Sequence, residues 1–350
     1  NPQTTTWTEF ENKIEIAKQS SWVNYGFKFG GTNDNLNEVL AVDPCRIPGI
    51  KLFLGSSTGN MLVNNPDVLY SIFSNTKLPI SVHCENEQII RKNMATFTEK
   101  YGEEIPMSCH PQIRSEEACY QSSSTAVALA KETGARLHVF HLSTAKETAL
   151  FESDSAVESK TITSEVCIHH LWFSDADYSD KGSLIKWNPA VKTAQDRAGL
   201  WEALNDDRID IIATDHAPHT IDEKMNPYPK APSGGPMVQH ALSVLLECHL
   251  QGKISIEKIV QKMAHNPAKL FDIDRRGFVR EGYYADLVLV DMDAPYTVSK
   301  DNILYKCGWS PLEGQSFQSQ VTHTIINGAL VYDQGKFSNQ KAAMPVAFTR

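Results

Sequence analysis

The sequence predicts an α/β protein: a (β/α)8-type barrel, short of its first two strands, with a small β-layer attached behind it. Three observations carry that expectation. Short apolar runs alternate with helix-length stretches from Trp7 to Phe271, which implies βα units and a parallel sheet. About six strand-like runs can be counted, too many for one half of a doubly wound sheet. The residues with chemical potential stand at the C-terminal ends of those runs, the face on which a barrel builds its active site.

Trp7–Ser20 reads as a helix and Trp22–Phe29 as a strand. Gly49 and Gly55 bound an apolar strand around Ile50–Leu54. Residues 66–76 read as a helix and Leu78–His83 as the next strand. The helix expected over 116–133 stops at Gly134, a residue free to take the left-handed conformation that ends helices. Arg136–His141, Lys160–Ile168 and Ile209–Thr214 are further strands, with a helix at about 195–205 before the last. Beyond Phe271 the character changes: Asp286–Val290 and Val321–Tyr332 are β-type, and Asn327-Gly328 is a two-residue hairpin signal. The division expected is therefore 1–272 for the barrel and 273–350 for the β-layer. Asn1-Pro2-Gln3 reads like the middle of a longer chain, so the two missing strands are expected before Asn1.

Composition narrows the function classes. Thirty-three Lys+Arg against 42 Asp+Glu leave a net charge of −9, which argues against nucleic-acid and anionic-membrane partners. No apolar run reaches the roughly 18 residues of a membrane span. The 7 cysteines are scattered without a Cys-x-x-Cys pair, so a reducing cytoplasm is expected and a disulfide framework is not.

Four residues attract attention as a set. His83 and His141 end two successive strands; one such histidine alone is more often a satisfied polar residue, but two at the same barrel face suit a zinc site. Asp215, in Thr214-Asp215-His216-Ala217-Pro218-His219, follows Ile209, Ile211 and Ala213 on one strand face, where the barrel core opens. As a plain alternative it caps a helix; beside a cation-activated water it serves as general base and then acid. Lys51, flanked by Ile50 and Leu52, either snorkels to solvent or is neutralised, paired or modified. A neutral amine can react with CO2 to give a carbamate able to bridge two cations.

These residues carry a resemblance. Gly-Ile-Lys51-Leu-Phe-Leu, Ser-Val-His83-Cys-Glu-Asn, His-Val-Phe-His141-Leu-Ser and Ala-Thr-Asp215-His-Ala-Pro-His resemble the amidohydrolase superfamily of metal-dependent barrels. Within it the chain most resembles the dihydroorotases, through Lys186-Trp187-Asn188-Pro189-Ala190-Val191-Lys192, Ala231-Pro232-Ser233-Gly234-Gly235-Pro236 and Lys306–Gly314. The resemblance implies a cytoplasmic enzyme that reversibly hydrolyses the cyclic amide of dihydroorotate to N-carbamoyl-aspartate, a step of pyrimidine biosynthesis, with two Zn2+ ions. Lys51 is then the carbamylated bridging ligand, His83 and His141 hold the second metal, and Asp215 is both a ligand of the first and the catalytic acid/base. Asn188, His219, Ser233 and Gly234 hold the ring. His170 only shapes the pocket, and Lys192 is a candidate for meeting the substrate carboxylate. A homodimer and an aspartate transcarbamoylase partner complete the expectation.

One departure stands out. The family's His-x-His pair and the arginine after it occur nowhere in these 350 residues. That absence supports a non-catalytic dihydroorotase-like scaffold as one alternative, and within cyclic-amide hydrolysis an allantoinase or hydantoinase/dihydropyrimidinase is another.

Overall fold

The computed structural model describes residues 2–55, 60–153, 155–339 and 341–350. Six parallel strands pair strictly in chain order: β1 (Phe29–Gly30), β2 (Ile50–Phe53), β3 (Ile80–His83), β4 (Leu137–Val139), β5 (Ile162–Cys167) and β6 (Ile211–Ala213). Five of them, β2 to β6, match strand-like runs of the sequence, and β1 shares only Phe29 with the expected run Trp22–Phe29. The first is shorter than expected. Trp22–Phe29 is not a strand: within it Tyr25 makes only an isolated bridge to Pro345, and pairing starts at Phe29.

The connecting helices have local causes. Trp7–Ser20 begins at Thr6, whose side chain accepts from the Glu9 N–H, and Glu116–Thr133 begins at Ser115, which caps Ala118 in the same way. The latter ends at Gly134 with φ 71°, as its sequence implies.

Alternation along the strands sorts residues between the helices and the barrel interior. Ile50, Leu52, Ile80, Val82, Leu137 and Val139 are sealed from water against helix residues such as Ile72, Phe73, Ala126 and Val127. Each contributes roughly 1.5–3 kcal/mol by burial. The other face forms layers. Register pairs Lys51 with Ser81, Ser81 with His138, and His138 with Thr163; one step up, Phe53 pairs with His83. The interior is polar and satisfied by internal partners. Lys28 donates to Ser81 Oγ at 2.9 Å, and His138 bridges Thr163 Oγ1 at 2.9 Å and Glu165 Oε2 at 3.0 Å.

A second, antiparallel sheet runs in the order β12-β11-β10-β7, from β7 (Leu287–Asp291), β10 (Gln320–Ile326), β11 (Ala329–Asp333) and β12 (Lys336–Phe337). A two-stranded ribbon, β8 (Tyr296–Thr297) with β9 (Ser316–Phe317), lies between β7 and β10 in the chain. The β10–β11 turn is Asn327-Gly328 with φ 51° and 83°, the left-handed pair that two-residue hairpins need. The last residues return to the first part of the chain. Val346 N–H donates to the Tyr25 carbonyl at 2.8 Å, and Arg350 holds the carbonyls of Ile47, Pro48 and Phe271 and the Asp272 carboxylate. All 7 cysteines are free thiols. Among the described residues no helix is long and apolar enough to cross a membrane.

Between β5 and β6 one ion pair is almost completely enclosed: Lys160 Nζ to Asp210 Oδ1 at 2.8 Å, with side chains 1% and 2% exposed. Asp210 Oδ2 also accepts the Ser164 N–H at 3.0 Å. Removing one partner strands the other charge, so Asp210→Ala should cost about 3–5 kcal/mol of unfolding free energy in urea titrations. Asp210→Ala combined with Lys160→Met should recover much of that loss.

Candidate active site

Lys51 on β2, His83 at the end of β3, His141 two residues past β4 and Asp215 two residues past β6 all line one cavity of about 740 Å³ at the C-terminal ends of the strands. Asn188, Ser233 and Gly234 line it too. Close approach is needed to assemble this rim. A Cβ on Gly55 would meet the Glu85 carbonyl at 1.8 Å, and one on Gly234, at φ 123°, would meet the Ala217 carbonyl at 2.5 Å.

His141 arrives by a route that alternation does not describe. Alternation groups it with Leu137 and Val139, whose face is the helix-facing side. A φ of 38° at His141, beyond the strand end, turns the ring back to the cavity; Asp215 has φ 41°. Non-glycine residues in this region are uncommon and gather at functional sites.

The two imidazoles face each other, His83 Nδ1 to His141 Nε2 at 3.0 Å, with rings nearly perpendicular at 78°. Both are buried. Burial, reinforced by the charges of His83 and Lys51, pushes the His141 pKa well below the usual imidazole value, so this ring is neutral and has a lone pair to give. Its Nδ1 is buried without a hydrogen-bond partner among the described residues. On the far side of His83, Nε2 meets Glu85 Oε2 at 3.0 Å, and Arg114 Nη1 donates to the same oxygen at 2.5 Å. Burial alone would raise the Glu85 pKa, but Arg114 and His83 outweigh it and hold the carboxyl at about 2. The Glu85 carboxylate against Nε2 leaves Nδ1 as the His83 nitrogen on the His141 side, the usual backing of a metal-bound histidine.

Lys51 is half-buried, its ammonium 3.9 Å from the Phe140 ring centroid and 4.7 Å from that of Phe53. Burial lowers its pKa to about 8 against the opposing pull of Glu165 and Asp215. Asp215 is open to the cavity yet hemmed in by protein atoms. That desolvation raises its carboxyl pKa, with His83 and Lys51 pulling the other way.

Among the described residues no three His, Cys, Asp or Glu side chains converge as a ready metal site; the convergent set contains a lysine. Two nitrogens bound tetrahedrally to one zinc at roughly 2.0–2.1 Å lie about 3.3–3.4 Å apart, so the two rings, at 3.0 Å, would need to part by a few tenths of an ångström to share a cation. The donors present are two imidazoles that could face one cation, with Lys51 and Asp215 lining the same cavity.

The remaining expected residues divide. Asn188 Oδ1 is a buried acceptor without a hydrogen-bond partner among the described residues. His219 stands behind the wall: its Nε2 is 3.2 Å from the Ser233 carbonyl, and its own carbonyl accepts from Trp309 Nε1 at 2.8 Å. His170 supports the segment after Asn188 through Nε2 to the Pro189 carbonyl at 3.1 Å. Lys192 is not on the wall; its ammonium is spent on the Ala190 carbonyl and Ser143 Oγ. Besides Lys51, the basic groups on the wall are Arg91 and Arg114, which sequence reasoning does not single out. Neither lies in a recognisable motif. Only Glu85, two residues after His83, offers a signal.

Known proteins share this architecture. A model described as "Amidohydrolase family" matches residues 61–331. The chain is 33% identical over 321 residues to a dihydroorotase of Pyrococcus furiosus, covering 91% of this chain and 67% of that protein. It is 28% identical over 347 residues to an allantoinase of Desulfitobacterium hafniense, covering 97% and 76%. Among solved structures it is similar to the L-hydantoinase (dihydropyrimidinase) from Arthrobacter aurescens, with a TM-score of 0.91 at 26% identity, covering 99% of this chain and 78% of that one.

The Glu85 carboxyl supplies a pH test. Its folded pKa lies below the ordinary 4.5, so its contribution to stability is complete above about pH 5 and is lost as pH falls toward 2. Urea denaturation at pH 5 and at pH 3 should show this loss in the wild type. Glu85→Gln should be less stable at pH 5 and should show a smaller further drop at pH 3.

Proposed function

This chain belongs to the amidohydrolase family of hydrolases, and on that premise we propose that it acts as a dihydroorotase, opening the cyclic amide of dihydroorotate to N-carbamoyl-aspartate and closing it in reverse. One observation carries the reading: Lys51 within β2, His83 at the end of β3, and His141 and Asp215 just past β4 and β6 share a cavity with Asn188, Ser233 and Gly234.

Zn2+ would be held by His83 and His141, and by Asp215 with a carbamate on Lys51, two ions in the full family arrangement. When bound, the metal polarises the amide carbonyl and lowers the pKa of water from 15.7 to about 7. The chain's own residues do the rest. Asp215 takes the proton as water adds to the ring carbonyl carbon, and returns it to the departing nitrogen as the C–N bond breaks. Its raised pKa suits a group that must hold a proton between the two events. The orphaned Asn188 Oδ1 accepts a ring N–H, and the Ser233-Gly234 backbone, braced by His219, borders the ring. The reading includes a homodimer and an aspartate transcarbamoylase as partner.

A second reading, an allantoinase or hydantoinase/dihydropyrimidinase, is favoured by the likeness to proteins of those names. A third, a non-catalytic scaffold, is the reading left if no cyclic amide is turned over. Turnover of dihydroorotate, allantoin and dihydrouracil by the same preparation decides among them: preference for the first supports dihydroorotase, and no turnover of any supports the scaffold.

Chelation should abolish activity, and zinc should restore it. Asp215→Asn should lower kcat by about 10²–10⁴-fold, with an unchanged circular-dichroism spectrum. His141→Ala should lower the zinc-to-protein ratio; an unchanged ratio would remove it from the ligand set.

A further inference from the structure

Two enclosed lysines beside the cavity have no acidic partner among the described residues. Lys224 is fully buried, and its ammonium donates to the carbonyls of Pro232 and Gly234 at 2.8 Å each and of Lys186 at 3.3 Å. The Lys186 side chain, 7% exposed, donates to the carbonyls of Tyr228 at 2.7 Å and Ala231 at 2.5 Å, with the Tyr228 ring centroid 4.4 Å away. A buried charge is costly unless its donors are satisfied. Here the compensation comes entirely from backbone carbonyls, and all of them belong to residue 186 or to the stretch 228–234.

Both segments reach the cavity, through Trp187 and Asn188 on one side and Ser233 and Gly234 on the other. Residue 186 precedes Trp187 and Asn188, and residues 231–234 carry Ser233 and Gly234. The Gly234 N–H donates to the Lys186 carbonyl at 2.8 Å, so the Lys224 ammonium sits on the junction of the two segments. Its own position is delivered by the short helix Ile221–Lys224, which starts at Thr220, next to His219, with a reciprocal cap from Glu223.

We propose that Lys224, together with Lys186, is a positioning residue that staples the 228–234 loop to the segment before Asn188 and thereby sets the shape of the ring-binding wall. The role in turnover rests on the cyclic-amide reading above; the staple itself does not. Burial lowers the pKa of Lys224 to about 7 and of Lys186 to about 8, so both donor sets are complete in mildly acidic solution and weaken as pH rises. The charged or titratable groups facing them are each other, Arg114 beside Lys186, Tyr228, and His110 through its 2.8 Å contact with the Tyr228 hydroxyl.

The test uses the zinc-loaded protein as wild type, Lys224→Gln, Lys224→Arg and Lys186→Gln. Hydrogen exchange of the 228–236 amides, metal content, and KM and kcat for dihydroorotate from pH 6 to 9 are measured. In Lys224→Gln, exchange at Gly234 and KM should each rise about tenfold, the worth of one or two hydrogen bonds, with metal content and kcat near wild type. Lys224→Arg should recover part of the loss. Wild-type KM should climb above pH 7, and Lys224→Gln should flatten that climb. Unchanged exchange in both Gln variants overturns the staple. Faster exchange with unchanged KM, or a loss confined to kcat and metal, overturns the positioning role. Should Lys224→Gln fail to fold, Lys186→Gln and the wild-type pH profile separate the same outcomes. A wild type that turns over no cyclic amide defeats the functional reading instead, and the exchange comparison then decides the staple alone.

Discussion

Parallel pairing in chain order is the constraint on which everything at the cavity depends. Because β2 pairs with β3, β3 with β4, and β5 with β6, the strand ends are delivered side by side although Lys51 and Asp215 lie far apart in the chain. The register also decides what lies beneath them. Ser81, His138, Thr163 and Glu165 fill the interior with mutually bonded polar groups, so the rim above rests on a floor that excludes bulk water. Glu165 and Asp215 partly offset the desolvation of the half-buried Lys51 amine, and the Phe140 and Phe53 rings lie beside it.

Charge at the site is set by neighbours rather than by the molecule as a whole. The chain carries a net charge of −9, yet the groups around the cavity include Lys51, Arg91 and Arg114, with Lys186 and Lys224 behind. Glu85 answers for two of its neighbours at once, His83 and Arg114. Fields of this kind act over a few ångströms inside a protein and are screened outside it, so net charge says little about what the cavity attracts.

Much of this was legible in the sequence, for physical reasons. Five of the six parallel strands are short apolar runs whose period and bounding residues are local properties, and Gly134 and Asn327-Gly328 mark turns that only a few residues can make. The side chains at strand ends were legible because a barrel has one active face. The rest was not, because it depends on contacts distant in the chain. Trp22–Phe29 has β-like composition, but only Phe29 finds a strand partner; Tyr25 pairs with residues some 320 positions away. Lys192 looks available until the fold spends its donors on Ala190 and Ser143. Arg114 gains importance only through Glu85, and nothing about a single arginine announces such a neighbour.

The left-handed backbone at His141 and Asp215 narrows what evolution or an engineer can place there. Aspartate, asparagine and histidine are the non-glycine residues that tolerate that conformation best, and the same short list includes the ligands and proton carriers a hydrolytic centre uses. Main-chain geometry therefore pre-sorts the alphabet before any chemistry is selected. An alanine scan through these two positions would fold backbone cost into its readout, whereas exchanges among Asp, Asn and His would report on the side-chain groups themselves.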